Sequence, residues 1–144
     1  MMEVKNLMYE IGFTQGAFDM FHIGHLNLIK NAKAQCKYLI VGINSDELIK
    51  SYKSKEAIIP ISERMAIVEA IKYVDEVVIT DTLDKMKIVK EKKCNAIFVG
   101  SDWKDNARWL KTKEEMHQIG VDVIFLPYTE KTSSTLIREK LNNY

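Results

Sequence analysis

Residues 7–43, LMYEIGFTQGAFDMFHIGHLNLIKNAKAQCKYLIVGI, decide the fold. The segment from Leu7 to Phe13 has the composition of a strand, and a turn region follows it. Residues 24–35 then carry apolar side chains three residues apart, which predicts a helix. Residues 38–43 are continuously apolar, so they predict a strand covered on both faces. A strand, a helix and a strand in this order predict a βαβ unit with parallel strands.

The same alternation continues along the rest of the chain. Strands are predicted at residues 74–80, 96–100 and 121–126, and helices at 61–73, 83–92, 103–118 and 132–141. Ser62 is a candidate cap for the helix at 61–73, and the polar stretch 51–60 predicts a loop. Together these elements predict an α/β fold, a single Rossmann-like doubly wound domain over residues 1–144 with a five-stranded parallel sheet flanked by helices.

Composition excludes several classes of protein. The chain has 144 residues, 47% hydrophobic and 28% charged, which is typical of a folded domain rather than a disordered one. The net charge of +1 argues against a broad nucleic-acid surface. Cys36 and Cys94 are too few for a disulfide framework, so we expect reduced, buried thiols. No secretory signal and no apolar run of membrane-spanning length are visible, so we expect a cytoplasmic protein without membrane insertion.

Small, hydroxyl and basic side chains follow the predicted strands. The segments are Gly16–His25 after the first strand, Asn44–Asp46 with Lys53 and Lys55 after the second, Gly100–Lys104 after the fourth, and Tyr128–Thr135 after the fifth. Ligands of an open parallel sheet bind at the carboxyl ends of its strands, so these segments should meet. Helix N-termini, hydroxyls and cations together favour a phosphate-binding site.

Two of the three histidines, His22 and His25, lie three residues apart where a helix is predicted to begin. That spacing lets both imidazoles face one point, and Gly24 lets a phosphate approach the backbone. Three interpretations remain open. The pair could cap the helix and pack, could bind a metal with Asp19 as the nearest further ligand, or could act in phosphate transfer.

Residues 16–25 resemble the G-T-F-D-x-x-H-x-G-H signature of the nucleotidylyltransferase superfamily. The chain as a whole is similar to the cytidylyltransferases, especially those that act on glycerol 3-phosphate. The other segments that carry this resemblance are Asn44–Glu47, the loop lysines Lys53 and Lys55, Arg64 with Tyr73–Val77, Gly100–Trp103, and Tyr128–Thr135.

The chain departs from the family pattern at several positions. Ala17 stands for Thr, Lys72 for Arg, Ser101 for Asp, Tyr128 for Arg, and Lys131-Thr132 for Gly-Ile. Lys72 keeps the charge of an arginine without its bidentate fork. These changes leave the reaction class intact, and they leave open the nucleotide base and the acceptor.

The resemblance implies transfer of CMP from CTP to a small phosphorylated alcohol, most simply glycerol 3-phosphate, with release of pyrophosphate. It implies four catalytic residues, His22, His25, Lys53 and Arg64. The implied nucleotide-binding residues are Gly16, Ala17, Phe18, Asp19, Gly24, Lys55, Asp102, Thr129, Ser133, Ser134 and Thr135, and the implied acceptor contacts are Lys53, Lys85 and Trp103. A divalent cation, Mg²⁺, is expected with the triphosphate, without assigned protein ligands, and a homodimer is expected.

Several alternatives remain. The protein could be an adenylyltransferase that uses ATP with a sugar phosphate or FMN, or a cytidylyltransferase for phosphocholine or phosphoethanolamine. A non-catalytic receiver module with Asp81 as phosphoacceptor also fits the length. Simpler roles exist for single residues: a solvated loop for Lys53 and Lys55, an exposed helix face for Arg64 and Lys85, packing for Trp103, and helix capping for Ser133–Thr135.

Overall fold

A five-stranded sheet forms the centre of the protein in a computed structural model that describes residues 8–127 and 133–143. Its strands are β1 Tyr9–Gly16, β2 Cys36–Asn44, β3 Glu76–Thr80, β4 Ala96–Gly100 and β5 Asp122–Leu126. All neighbouring strands pair in parallel, in the order β3-β2-β1-β4-β5. The α/β doubly wound sheet predicted from the sequence is therefore confirmed.

Helices occupy the connections between the strands. They are α1 Ile23–Lys33, α2 Asp46–Lys53, α3 Ile61–Glu69, α4 Met86–Glu91, α5 Ala107–Gln118 and α6 Ser134–Asn142, and a short 3₁₀ turn spans Ser101–Trp103. Within the described residues, no helix is both long and apolar enough to span a bilayer.

Several predicted boundaries were wrong. α2 runs into the stretch predicted as a loop, so Lys53 is its last residue. α3 begins after Pro60, whose carbonyl accepts from Glu63 N and Arg64 N, so Ser62 lies inside the helix and does not cap it. α5 begins only at Ala107, because the Asn106 side chain accepts from two backbone amides there.

The order of the strands determines where ligands can bind. From β1 at the centre the chain adds β2 and β3 on one side, then crosses to add β4 and β5 on the other. The connections that leave β1 and β4 therefore diverge to opposite sides, and a crevice forms at their carboxyl ends. β1 pairs with β4 through Gly12–Ala96 and Phe13–Ile97, whereas its last residues pair with β2 alone and can border this crevice on the side of β4.

The core divides into two layers because the sheet is covered on both faces. On one face Leu39, Val41 and Ile43 of β2 pack with Ile29 of α1 and Val68 of α3. On the other face Phe13 and Ile40 pack with residues of β4, β5 and the helices α4 and α5, namely Val89, Ile97, Trp109, Met116 and Val123. The alternation along β2 matches the two-residue period of a strand. Cys36 and Cys94 are free and buried in these layers, as expected.

Candidate active site

The loop from β1 to α1 is held in an unusual conformation. Phe18 and Met20 both have positive φ, 51° and 50°, which costs a non-glycine residue about 1–3 kcal/mol and persists only when the surroundings support it. Phe18 is buried, packs beside Phe21 and lies edge-on to His25, with ring centroids 5.3 Å apart. The loop thereby places the first histidine at the start of α1.

Asp19 lies between Phe18 and Met20 and connects its own loop with the segment before α3 and with α6. Its buried carboxylate accepts from Ile58 N and Ile59 N, both at 2.8 Å, and from Arg138 Nη2 of α6 at 3.0 Å. The Ser134 hydroxyl donates to the Asp19 carbonyl at 2.8 Å. A direct nucleotide contact is what the resemblance implies for Asp19, whereas these partners give its carboxylate a positioning role.

The two histidines cap α1 reciprocally. His22 is the N-cap residue, and its Nδ1 accepts from Gly24 N at 3.0 Å, while Nδ1 of His25 accepts from His22 N at 3.2 Å. The rings stack with centroids 3.8 Å apart. A backbone amide always donates, so each Nδ1 is unprotonated and each neutral ring carries its proton on Nε2. Both imidazoles therefore present an Nε2–H donor away from the cap.

The surroundings keep these rings neutral. Burial lowers the pKa of His22. Burial, the neighbouring His22 and the cation of Lys53 together lower the pKa of His25 to about 3. At neutral pH the pair therefore acts as two uncharged donors rather than as an acid or a cationic cluster.

A cavity of about 280 Å³, here called the histidine cavity, opens next to this pair. Its lining residues are His22, Gly24, His25, Leu28, Lys53, Gly100, Asp102, Trp103, Pro127, Ser133 and Ser134. The N-termini of α1 and α6 both border it, and Ser133 caps α6 by accepting from Leu136 N at 3.1 Å. Two helix N-termini, two neutral donors and a lysine are groups that bind phosphate oxygens.

A second cavity of about 430 Å³, here called the lysine cavity, lies at the carboxyl ends of β1, β2 and β4. It is lined by Gln15, Gly16, Ala17, Asn44, Tyr52, Lys53, Leu83, Lys85, Val99, Trp103, Arg108 and Trp109. Lys53 and Trp103 line both cavities, so a molecule in one can meet a molecule in the other there.

Lys53 borders both cavities from the end of α2. Its side chain is largely exposed, yet partial burial of the amine and the nearby Arg138 lower its pKa, while Asp19 acts in the opposite direction. Lys53 is the last residue of α2, and Ser54 ends that helix in a left-handed conformation, so the backbone of Lys53 belongs to a helix rather than to a loop.

Lys85 is not on a solvated helix face, contrary to the simpler expectation. It is only 5% exposed, its Nζ donates to Leu83 O at 2.9 Å, and the ammonium lies 4.7 Å from the Trp109 ring centroid. Burial and the nearby Arg108 lower its pKa to about 8. Lys85 therefore lines the lysine cavity as a largely desolvated cation.

Arg64 is placed differently from what the resemblance implies, and the exposed alternative is wrong because only 1% of it is accessible. Its guanidinium donates to the carbonyls of Ala17, Asn44 and Ile59 at 2.7–2.8 Å and to the Asp46 carboxylate. It is absent from the lining of either cavity. Four protein acceptors thus occupy the group that was expected to contact phosphate.

The other predicted residues fall into three groups. Gly16, Ala17, Gly24, Asp102, Trp103, Ser133 and Ser134 line one cavity or both, as does Lys85. Phe18 and Asp19 line a smaller cavity of about 150 Å³ that His25 and Lys53 also border. Lys55 and Thr135 are exposed and line neither main cavity, and Thr129 lies outside the described residues.

Sequence reasoning missed Tyr52, Arg108, Trp109 and Arg138. The first three line the lysine cavity, and Arg138 holds Asp19. Arg108 and Arg138 are two of only three arginines, which is the sole signal that could have drawn attention to them. Tyr52 and Trp109 carry no local signal, since aromatic residues at helical positions usually pack in the core.

Among residues 8–127 and 133–143, no group of three or more His, Cys, Asp or Glu side chains could hold a metal ion. The metal interpretation of the histidine pair required Asp19, whose carboxylate is already held by Arg138 and two backbone amides. The site instead offers donors and cations, which is what stabilising charge on transferring phosphate groups requires.

The comparisons with known proteins agree with this chemistry and define the class, an α/β nucleotidyltransferase. Residues 13–140 match the family model described as cytidylyltransferase-like, and the chain belongs to that family.

Three relatives illustrate the range of this similarity. The chain is 37% identical to the FAD synthase of Thermococcus kodakarensis over 119 residues, 81% of this chain and 79% of that protein. It is 34% identical to the glycerol-3-phosphate cytidylyltransferase of Bacillus subtilis over 129 residues, 89% of this chain and 94% of that one. A crystal structure of a lipopolysaccharide core biosynthesis protein from Thermoplasma volcanium shares the fold, with a TM-score of 0.71, 23% identity, and coverage of 86% and 99%.

Proposed function

We propose that the protein transfers CMP from CTP to a small phosphorylated alcohol, most simply glycerol 3-phosphate, and releases pyrophosphate. The observation that carries this proposal is the pair of cavities that meet at Lys53 and Trp103. Direct transfer requires two phosphorylated substrates whose phosphates touch, and adjoining cavities with a shared lysine provide that geometry. The name of the Bacillus subtilis relative supports glycerol 3-phosphate as the acceptor.

In this proposal the triphosphate lies in the histidine cavity. Its oxygens accept from the backbone amides at the start of α1 and α6 and from the Nε2–H groups of His22 and His25. These hydrogen bonds strengthen as negative charge moves onto the leaving pyrophosphate. The imidazoles are neutral, so they stabilise this charge as donors without giving up a proton.

The acceptor lies in the lysine cavity with its phosphate next to Lys53. An oxygen of that phosphate attacks the α-phosphorus in line, the bond from the α-phosphorus to the bridging oxygen breaks, and pyrophosphate leaves with the electron pair. The acceptor phosphate is already ionised at neutral pH, so the step needs no general base. Lys53 offsets the repulsion between the two anions, which otherwise opposes their approach.

We propose that Mg²⁺ enters as part of the nucleotide. The described residues hold no cluster of three metal ligands, and Mg²⁺ in such sites is typically bound by substrate phosphates and water with one or two carboxylates. Asp102 is the acidic residue that lines the histidine cavity. When bound, the ion would neutralise phosphate charge next to the histidine donors.

An adenylyltransferase acting on FMN is the second candidate. Three aromatic side chains, Tyr52, Trp103 and Trp109, line the lysine cavity, and aromatic rings are good partners for a flat flavin ring. The name of the Thermococcus kodakarensis relative supports the same alternative.

A matrix of substrates separates the two candidates. CTP or ATP with Mg²⁺ is incubated with glycerol 3-phosphate, FMN or a sugar phosphate, pyrophosphate release is followed, and the product is identified by mass spectrometry. We expect CDP-glycerol from CTP, and no product from a variant with both His22→Ala and His25→Ala. His117→Ala, on the exposed side of α5, is the matched control and should keep full activity. FAD formation from ATP and FMN alone would replace the first candidate by the second.

A further inference from the structure

We propose that the lysine cavity selects its acceptor by the charge at the end far from the reacting phosphate. It takes a phosphate monoester whose far end is uncharged and oxygen-rich, and it rejects one that ends in an ammonium or quaternary ammonium group. This inference rests on the proposed function, and it names the class of acceptor for the same site.

The first observation is a buried cation that forms no salt bridge with any carboxylate of residues 8–127 and 133–143. Lys85 is 95% buried, and the protein atom that accepts from its Nζ is the carbonyl oxygen of Leu83. An ammonium has three donors, and in the described part of the chain one of them has a protein acceptor, so two are available to a ligand there. The residues that line this cavity in the described part of the chain include no Asp or Glu, and the nearby Asp84 is exposed. An electron-rich ligand would therefore relieve a desolvated charge.

The second observation is that cations reach the cavity from three different elements. Lys53 ends α2, Lys85 precedes α4, and Arg108 lies in the first turn of α5. Lys53 also borders the histidine cavity, whereas Lys85 and Arg108 line only the lysine cavity. The reacting phosphate belongs next to Lys53, so the far end of the acceptor lies towards the other two cations.

The third observation concerns the aromatic residues. Proteins that bind a quaternary ammonium surround it with aromatic ring faces. Here the ammonium of Lys85 already lies over the Trp109 ring, 4.7 Å from its centroid. The ring of Trp109 is thus engaged by a cation of the protein itself, and that cation would repel a second cation brought by the acceptor.

An isosteric pair of ligands tests this inference without depending on turnover. Phosphocholine and 3,3-dimethylbutyl phosphate have nearly the same shape and differ in the charge of the far end. We expect the neutral ester to bind at least tenfold more tightly in calorimetric titrations of the wild-type protein, because like charges in one cavity repel. Equal binding, or tighter binding of phosphocholine, would overturn the proposal.

A variant assigns the selection to Lys85. Lys85→Met keeps an unbranched side chain against Trp109 and removes the charge, and Lys87→Met on the exposed side of α4 is the matched control. We expect the preference for the neutral ester to fall roughly tenfold in Lys85→Met and to stay unchanged in Lys87→Met. An unchanged preference in a folded Lys85→Met protein would contradict the assignment.

Turnover separates failure of this inference from failure of the proposed function. If pyrophosphate is released with phosphocholine as fast as with glycerol 3-phosphate, nucleotidyl transfer stands and the charge selection is wrong. If no acceptor supports release, the proposed reaction is wrong, and the binding preference of the two esters still tests the cavity.

Discussion

At the scale of single residues, His22 and His25 show how backbone contacts determine protonation. Each Nδ1 is the acceptor for a backbone amide at the start of α1, so the proton of the neutral ring is held at Nε2. If Nδ1 of either ring were protonated, its hydrogen would face the hydrogen of the backbone amide from which that nitrogen now accepts. The capping hydrogen bond would then be lost. The hydrogen bonds and the burial of the pair therefore act in the same direction.

This coupling predicts the ionisation of His25. The pKa of His25 is lowered from 6.5 to about 3, so we expect nitrogen-resolved NMR to show an Nε2-protonated neutral ring from pH 8 down to pH 5. As the pH falls below 6.5 the unfolded chain binds a proton that the native chain does not, so His25 should make the protein progressively less stable between about pH 6.5 and about pH 3. A ring that takes up a proton between pH 8 and pH 6 would contradict this.

At the scale of the element, the N-terminus of α1 combines a helix cap with side chains that line the histidine cavity, where we propose that phosphate binds. His22 accepts from Gly24 N as a serine would, and it also contributes an imidazole to the histidine cavity. Capping and phosphate transfer were separate interpretations of the histidine pair at the level of the sequence. The geometry of the cap makes the two roles compatible, because one uses Nδ1 and the other uses Nε2.

The two roles can be separated by His22→Ser. Serine is a favoured N-cap residue, so the helix should keep its stability, with a melting temperature within a few degrees of wild type. The rate of pyrophosphate release should fall on the order of a hundred- to a thousandfold, because one donor to the phosphates is lost. His117→Ser is the control for a histidine outside the site. A loss of less than tenfold would mean that His22 only caps.

Helix α2 shows where prediction from the local sequence pattern was wrong. The polar stretch 51–60 predicts a loop, but α2 continues to Lys53. Leu48 and Ile49 of α2 are buried, and the Tyr52 hydroxyl in its last turn accepts from Asn44 Nδ2 at the end of β2 at 3.1 Å. Tertiary packing extends the helix beyond the point where its own composition favours it. The lysine shared by the two cavities is therefore carried on a helix.

At the scale of the whole molecule, Arg64 joins segments that are distant in sequence. Its guanidinium connects the loop after β1, the end of β2 and the segment before α3 through three carbonyls and Asp46. The first two segments also border the lysine cavity, through Ala17 and Asn44. Arg64 thus fixes two segments that line the lysine cavity, although Arg64 itself does not line it.

Replacement of Arg64 tests this positioning role. Arg64→Lys keeps the charge, but one ammonium cannot reach all four acceptors, so buried groups lose their partners. We expect the free energy of unfolding in urea to fall by about 3 kcal/mol. Lys50→Met is the control, because it removes an exposed lysine whose ion pair with Glu56 spans 3.9 Å, and should change stability by less than about 1 kcal/mol. Unchanged stability with a raised KM for the nucleotide would instead favour a phosphate contact.

The sequence by itself determined the alternation of strands and helices, the parallel sheet and the position of the histidine pair, because hydrophobic period and motif spacing are local properties. Only the tertiary structure decided that Asp19 and Arg64 hold the loops and that Lys85 is a buried cation in the lining of the lysine cavity. Burial and hydrogen-bond partners come from residues far along the chain, as with Asp19 and Arg138, which are 119 positions apart. No local pattern contains such a pairing, and it exists only once the sheet brings the carboxyl ends of its strands together.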